Sequence, residues 1–167
     1  MSDESAEALL TPDEASYRTV LGHFATGVTI ITAMDGDEPI GVSANSFTSV
    51  SLDPPLVLFC AAKASTTWPR LEAAGKFTVN ILNEHQEDVC RVFATKGIDR
   101  FTRIGWRPSP IGAPILHGAV AYIDCEIDAQ HDAGDHLIVV GAVRELGVLS
   151  EDGPLIFYRG GYGKFDA

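Results

Sequence analysis

The chain has 167 residues, 46% of them hydrophobic, and a formal net charge of -11 from 12 Lys and Arg against 23 Asp and Glu. That length fits one domain with an ordinary core. The acid excess argues against a nucleic-acid binder, which needs a basic face to neutralise phosphates.

Residues 1–10 read as a flexible tail ahead of a single domain over 11–167. Asp3, Glu4 and Glu7 stand where a secretory signal would carry basic residues before an apolar stretch. No apolar run reaches the roughly 18 residues of a membrane helix, so a cytoplasmic protein without membrane spans is expected. Thr11-Pro12-Asp13-Glu14 offers an N-cap, a proline at the first helical position and a capping-box glutamate. Tyr17, Val20, Leu21 and Phe24 follow at helical spacing as one apolar face, and Gly27 is a plausible stop.

Beyond that helix the pattern is mostly strand. Val28 to Ala33 is rich in β-branched residues, and Asp35-Gly36 marks a turn toward Ile40-Gly41-Val42. Leu56 to Ala62 and Leu137 to Val143 are nearly continuous apolar runs, as in strands covered on both faces. Ala119 to Ala129 alternates, with Ala121, Ile123, Cys125 and Ile127 expected inside and Tyr122, Asp124, Glu126 and Asp128 expected in water. Short helices are expected over Thr67 to Ala74, closed by Gly75, and over Glu84 to Ala94, capped by Asn83. Many strands with few helices between them point to an antiparallel barrel rather than βαβ units.

The common catalytic signatures are missing. No Gly-x-Gly-x-x-Gly lies between a strand and a helix, and Gly160-Gly161-Tyr162-Gly163 has the wrong spacing and position. There is no Walker sequence and no Gly-x-Ser-x-Gly elbow. Cys60, Cys90 and Cys125 are odd in number, far apart and without a Cys-x-x-Cys pair, which favours reduced, packed thiols.

Four polar stretches carry the chemistry. Ser43-Ala44-Asn45-Ser46-Phe47 offers short donors and acceptors that suit a flat polar heterocycle, and it would equally serve as a plain turn between strands. Lys63, Ser65, Thr66 and Thr67 suit a phosphate at a helix start, or simple helix capping. His131-Asp132-Ala133-Gly134-Asp135-His136 reads as a hairpin turn; a metal site is conceivable there, yet nothing like His-Glu-x-x-His is present, and none is expected. Phe157 to Gly163 mixes aromatics, a cation and glycines, which fits either a packed strand end or a ligand-facing edge. His23, His85 and His117 read as structural.

In order and spacing, Ser43 to Phe47 with Pro54-Pro55-Leu56-Val57, then Gly134-Asp135-His136, then Phe157 to Tyr162 closely resemble the short flavin reductase family. Its members supply reduced flavin to two-component flavin-dependent monooxygenases, and the likeness runs from about Tyr17 to Phe165. The resemblance implies a mainly β fold, a split β-barrel of Greek-key type with a few short flanking helices, assembled as a homodimer. It implies FAD or FMN and NADH as ligands, with a separate flavin-dependent monooxygenase as partner. Ser43, Ala44, Asn45, Ser46, Phe47, Cys60, Lys63, Ser65, Thr66 and Thr67 would then hold the flavin, with Arg91, Phe93 and Lys96 near an adenine or distal phosphate. His136, Tyr158, Arg159, Gly160 and Tyr162 would meet the pyridine nucleotide. No catalytic side chain is required, because hydride transfer needs stacked rings rather than an acid, base or nucleophile. Two alternatives are a split-barrel oxidase that retains its flavin and a non-catalytic flavin-binding module.

Overall fold

A computed structural model describes residues 10–166. The tail expected over residues 1–10 therefore lies outside the described residues, save Leu10. Helix α1 (Glu14–Leu21) starts later than expected: Asp13 is its N-cap, accepting the Ser16 N–H at 2.8 Å, and neither Thr11 nor Pro12 is helical. The apolar residues expected on its buried face are left open, with Tyr17 61%, Val20 53%, Leu21 49% and, just beyond the helix, Phe24 76% exposed.

A seven-stranded antiparallel sheet follows, in the order β3-β2-β6-β9-β10-β5-β4. Its strands are β2 (Thr29–Asp35), β3 (Glu38–Ala44), β4 (Thr48–Leu52), β5 (Pro55–Ala62), β6 (Lys76–Ile81), β9 (Ala121–Ala133) and β10 (His136–Val148). Between them come α2 (Trp68–Ala74), closed by Gly75 as expected, α3 (Glu87–Ala94), and the hairpin β7 (Trp106–Pro108) with β8 (Pro114–Leu116). A small sheet joins β1 (Thr26–Gly27) to β11 (Leu155–Tyr158) and β12 (Gly161–Lys164). Helix α3 is shorter than the expected 84–94 because Asn83 spends its side chain on a turn. Its carbonyl accepts the His85 N–H at 2.7 Å and its amide donates to Gly118 O at 2.7 Å, leaving Gln86 at the N-cap.

The sheet curls, but its end strands β3 and β4 do not pair with each other. This gap is the split of the barrel. The Ser46 hydroxyl spans it by accepting the Cys60 N–H at 2.9 Å, tying the β3–β4 loop to β5. The core inside the curl is apolar: Ile31, Val57, Phe59, Leu71, Phe77, Val79, Cys125 and Val139 are buried together. A second cluster around Ile30, Leu82, Phe93, Leu116 and Leu155 lies between the sheet and its flanking elements.

Two sequence expectations are corrected here. Strands β5 and β10 are not covered on both faces: burial alternates along β5, and only Val139 and Gly141 of β10 are fully buried. Asp124, expected in water, is fully buried. Its carboxylate accepts from the Thr78 hydroxyl at 2.6 Å and from Ile111 N–H at 3.3 Å, so hydrogen bonds replace the water it lost. Beyond Ala142, β10 outruns β5 and pairs with β9 alone as far as Val148. The three cysteines are free, as expected.

Candidate functional site

The split holds a cavity of about 220 Å³. Its walls come from Val42 to Ser46 at the end of β3, Phe59 to Ala62 on β5, Ser65 and Trp68 at the start of α2, and His136 at the start of β10. His136 reaches it because Gly134, at φ 67, turns β9 into β10 and sets Ala133 opposite His136. That left-handed conformation suits glycine. A second cavity of about 180 Å³ lies across the same Ser43-Ala44-Asn45 segment, bounded by Val28, Cys90, Phe157 and Tyr162. One polar segment thus forms a wall between two cavities.

The side chains of that wall divide by role. Ser46 is committed to β5, whereas Ser43 and Asn45 make no side-chain hydrogen bond with the described residues and are free to meet a ligand. Ser65 is committed too: its hydroxyl accepts Thr67 N–H at 3.2 Å and Trp68 N–H at 3.1 Å and so caps α2. Trp68, absent from the sequence-based candidates, is buried beside the cavity, and its indole N–H has no hydrogen-bond partner. An unpaired buried donor costs about 1–3 kcal/mol. Free amide and hydroxyl groups beside apolar walls fit a flat heterocycle with a polar edge.

At the cavity mouth, His136 Nδ1 lies 2.7 Å from Asp135 Oδ1. That hydrogen bond, then the charge of the imidazole, holds the Asp135 carboxyl below its usual range. Lys63, expected as the cation for phosphate, is instead ion-paired with Asp132. In the second cavity the Tyr162 hydroxyl lies 3.4 Å from Cys90 Sγ. Burial and then that contact push the phenol up to about 12, so it stays protonated.

A third cavity, of about 340 Å³, adjoins the first along the chain. Thr66 and Thr67 line it, with Ile40 and Gly41 of β3, Arg70, and the loop Gly97 to Phe101. The expected phosphate block is therefore divided, Ser65 facing one cavity and the two threonines the other. Arg100 was not anticipated, because it sits in a polar loop with no periodic pattern.

Apart from Cys60 and Tyr162, the other expected residues line none of these three cavities. Phe93 is fully buried, edge-on to Phe101 and pressed against Gly41, where an added Cβ would meet its ring at 2.8 Å. It supports β3 from behind and lines none of these three cavities. Arg91 is paired with Glu87 at 2.7 Å and lies over the Tyr162 ring at 5.1 Å. Phe47 packs on the main core. Tyr158 ends β11 and Arg159 and Gly160 form the turn to β12, all three exposed, and Cys60 lines the first cavity. The nicotinamide candidates also separate, with His136 at the first cavity and Tyr162 at the second. Among the described residues no three His, Cys, Asp or Glu gather as a metal site, and no helix is long and apolar enough to cross a membrane.

A split barrel with this cleft is the architecture of flavin-handling reductases, and the chain belongs to that family: residues 21–166 match the flavin reductase like domain. It is 53% identical over 156 residues to a flavin reductase of Pseudomonas putida, covering 93% of this chain and 92% of that protein. It is 49% identical over 152 residues to the reductase subunit HsaB of a flavin-dependent monooxygenase from Mycobacterium tuberculosis, covering 90% and 81%. Among solved structures, the Streptomyces globisporus NADH:FAD oxidoreductase in complex with NAD and FAD fragments superposes with a TM-score of 0.91 at 40% identity, covering 96% of this chain and 98% of that one.

Proposed function

We propose that this protein is an NADH-dependent flavin reductase that reduces FAD or FMN and passes reduced flavin to a separate flavin-dependent monooxygenase, working in the cytoplasm as a homodimer. The observation that carries the reading is the convergence of Ser43–Ser46, Ser65 with Trp68, and His136 on one cleft, although they come from three separate parts of the chain. Ser43 and Asn45 offer unspent polar groups to the flavin ring. Fixed donors in such a place favour a ring that gains negative charge. When both ligands are bound, nicotinamide supplies a hydride that the flavin ring accepts. His136, held by Asp135, would face the nicotinamide, and Tyr158, Arg159, Gly160 and Tyr162 around the β11–β12 turn would hold the rest of the pyridine nucleotide. No side chain need exchange a proton during hydride transfer, so the chain's work is orientation and exclusion of water.

The homodimer rests on apolar surface left uncovered. Leu52 is 96%, Leu146 66% and Val148 76% exposed, at the end of the sheet where β10 outruns β5.

The test is NADH oxidation by the purified protein with FAD, FMN and riboflavin. Consumption should require added flavin, and His136→Ala should raise KM for NADH while leaving flavin affinity nearly unchanged. No flavin-dependent consumption would refute the proposal.

A further inference from the structure

Charge is unevenly placed along this chain. Residues 96–107, from the end of α3 into β7, hold four of the 12 Lys and Arg and only Asp99 of the 23 Asp and Glu, a net +3. The remaining eight basic and 22 acidic residues give the rest of the molecule -14. Other cations beside the flavin cleft are neutralised: Lys63 is paired with Asp132, and Arg70 with Asp35 and Glu38 at 2.6 Å each. Lys96, Arg103 and Arg107 are exposed and form no ion pair among the described residues.

Packing pins this segment and leaves those three cations in water. Phe101, Ile104 and Trp106 are half-buried against the cluster around Phe93, with ring centroids 5.1 Å apart for Phe93 and Phe101 and 6.4 Å for Phe101 and Trp106. Arg100 acts as a brace: its Nη1 donates to Gly41 O at 2.7 Å and its Nε to Thr95 O at 3.1 Å. Asp99, the one acid of the segment, accepts the Phe101 N–H at 3.0 Å.

The segment borders the way into the cleft. Gly97 to Phe101 line the third cavity together with Ile40 and Gly41, and β3 runs on from these into Val42 to Ala44 of the cleft wall. Lys96 immediately precedes this lining and Arg103 lies two residues beyond it. A flavin nucleotide is an anion, which a body of charge -14 repels. At about 0.1 M ionic strength the screening length is about 10 Å, so an arriving anion feels the charges near the entrance rather than the sum over the molecule. A local field of the opposite sign raises association rates by about 10- to 1,000-fold.

We propose that Lys96, Arg103 and Arg107 form an electrostatic approach surface that draws the anionic flavin nucleotide toward the cleft without touching it once bound, and so sets how fast this acidic protein takes up its flavin. The proposal rests on the flavin reductase reading and adds to it a kinetic role for three residues that line neither the cleft nor the third cavity.

The experiment is stopped-flow fluorescence of the whole chain with FAD and with riboflavin, which carries the same ring and no charge. Raising the ionic strength from 0.1 to 1 M should slow FAD association by about threefold or more and riboflavin association by less than about 1.5-fold. At 0.1 M, Lys96→Glu, Arg103→Glu and Arg107→Glu combined should slow FAD association by about fivefold or more while its dissociation rate stays within about twofold and riboflavin is unaffected. Lys96→Gln with Arg103→Gln, which removes charge without reversing it, is the milder second variant and should slow FAD by about twofold. The control is Arg18→Glu, Lys76→Glu and Arg144→Glu combined. It makes the same change in net charge at exposed positions that line none of the cavities, and it should leave FAD association within about twofold.

FAD association that quickens with salt, or that slows as much in the control as in the reversed segment, would give the rate to the net charge and overturn the proposal. So would a loss that falls on the dissociation rate, which would make these cations ligand contacts. Failure of the wild-type protein to bind either FAD or riboflavin would instead remove the underlying reading.

Discussion

Arg159 is the one non-glycine described residue with positive φ, at 50°. A side chain there costs roughly 1–2 kcal/mol relative to glycine. The turn is fixed because Arg159 N–H donates to Gly22 O at 2.8 Å, clamping the end of α1 to the hairpin. Strain of this kind persists where the side chain is needed. Arg159→Gly should therefore raise Tm by roughly 2–4 °C, about 1 kcal/mol for a chain of this size, while raising KM for NADH. A variant with unchanged KM would remove Arg159 from the nucleotide site. At this scale the sequence was only partly legible. Ser43 and Asn45 make no side-chain hydrogen bond among the described residues, but Ser46 and Ser65, which looked the same, bond to backbone. A hydroxyl serves a cap, a strand tie or a ligand equally well, and only geometry separates these uses.

Among the elements, the β7–β8 hairpin shows what periodicity could not reveal. Three-residue strands carry too little alternation to read, and the residues that hold them lie far away in sequence. Asn80, fully buried on β6, accepts Leu116 N–H at 2.8 Å and donates to Pro114 O at 3.3 Å, while the Thr32 hydroxyl donates to Pro114 O at 2.6 Å. Asp124 completes this latch with Thr78 and Ile111. The alternation rule placed Asp124 in water because it assumes an open outer face, and the hairpin covers that face. Asp124→Ala should cost about 2–3 kcal/mol by leaving Thr78 and Ile111 short of an acceptor, whereas Asp128→Ala on the exposed part of β9 should stay within about 0.5 kcal/mol. Thermal unfolding by circular dichroism separates the two, and equal losses would show that the latch does not stabilise the fold. The long strands and α2 were legible because their patterns are long or sharply capped.

For the molecule as a whole, three motif blocks in the right order revealed the family, yet one chain leaves much apolar surface open. Tyr17, Val20 and Leu21 on α1, with Phe24 just beyond it, had the spacing of a buried face and are exposed. Amphipathic spacing says that a face is covered, without saying by which chain. Leu52→Asp combined with Val148→Asp should shift the protein from dimer to monomer in light scattering while retaining its circular dichroism spectrum; an unchanged mass would mean that this end of the sheet is not the interface. The wall of Ser43, Ala44 and Asn45 between two cavities has a thermodynamic meaning as well. An occupant on either side settles the same three residues, so neither binding constant is independent of the other. By linkage, whatever factor the first occupant imposes on the second is returned in full, which makes this short stretch of chain the place where the two affinities are set against each other.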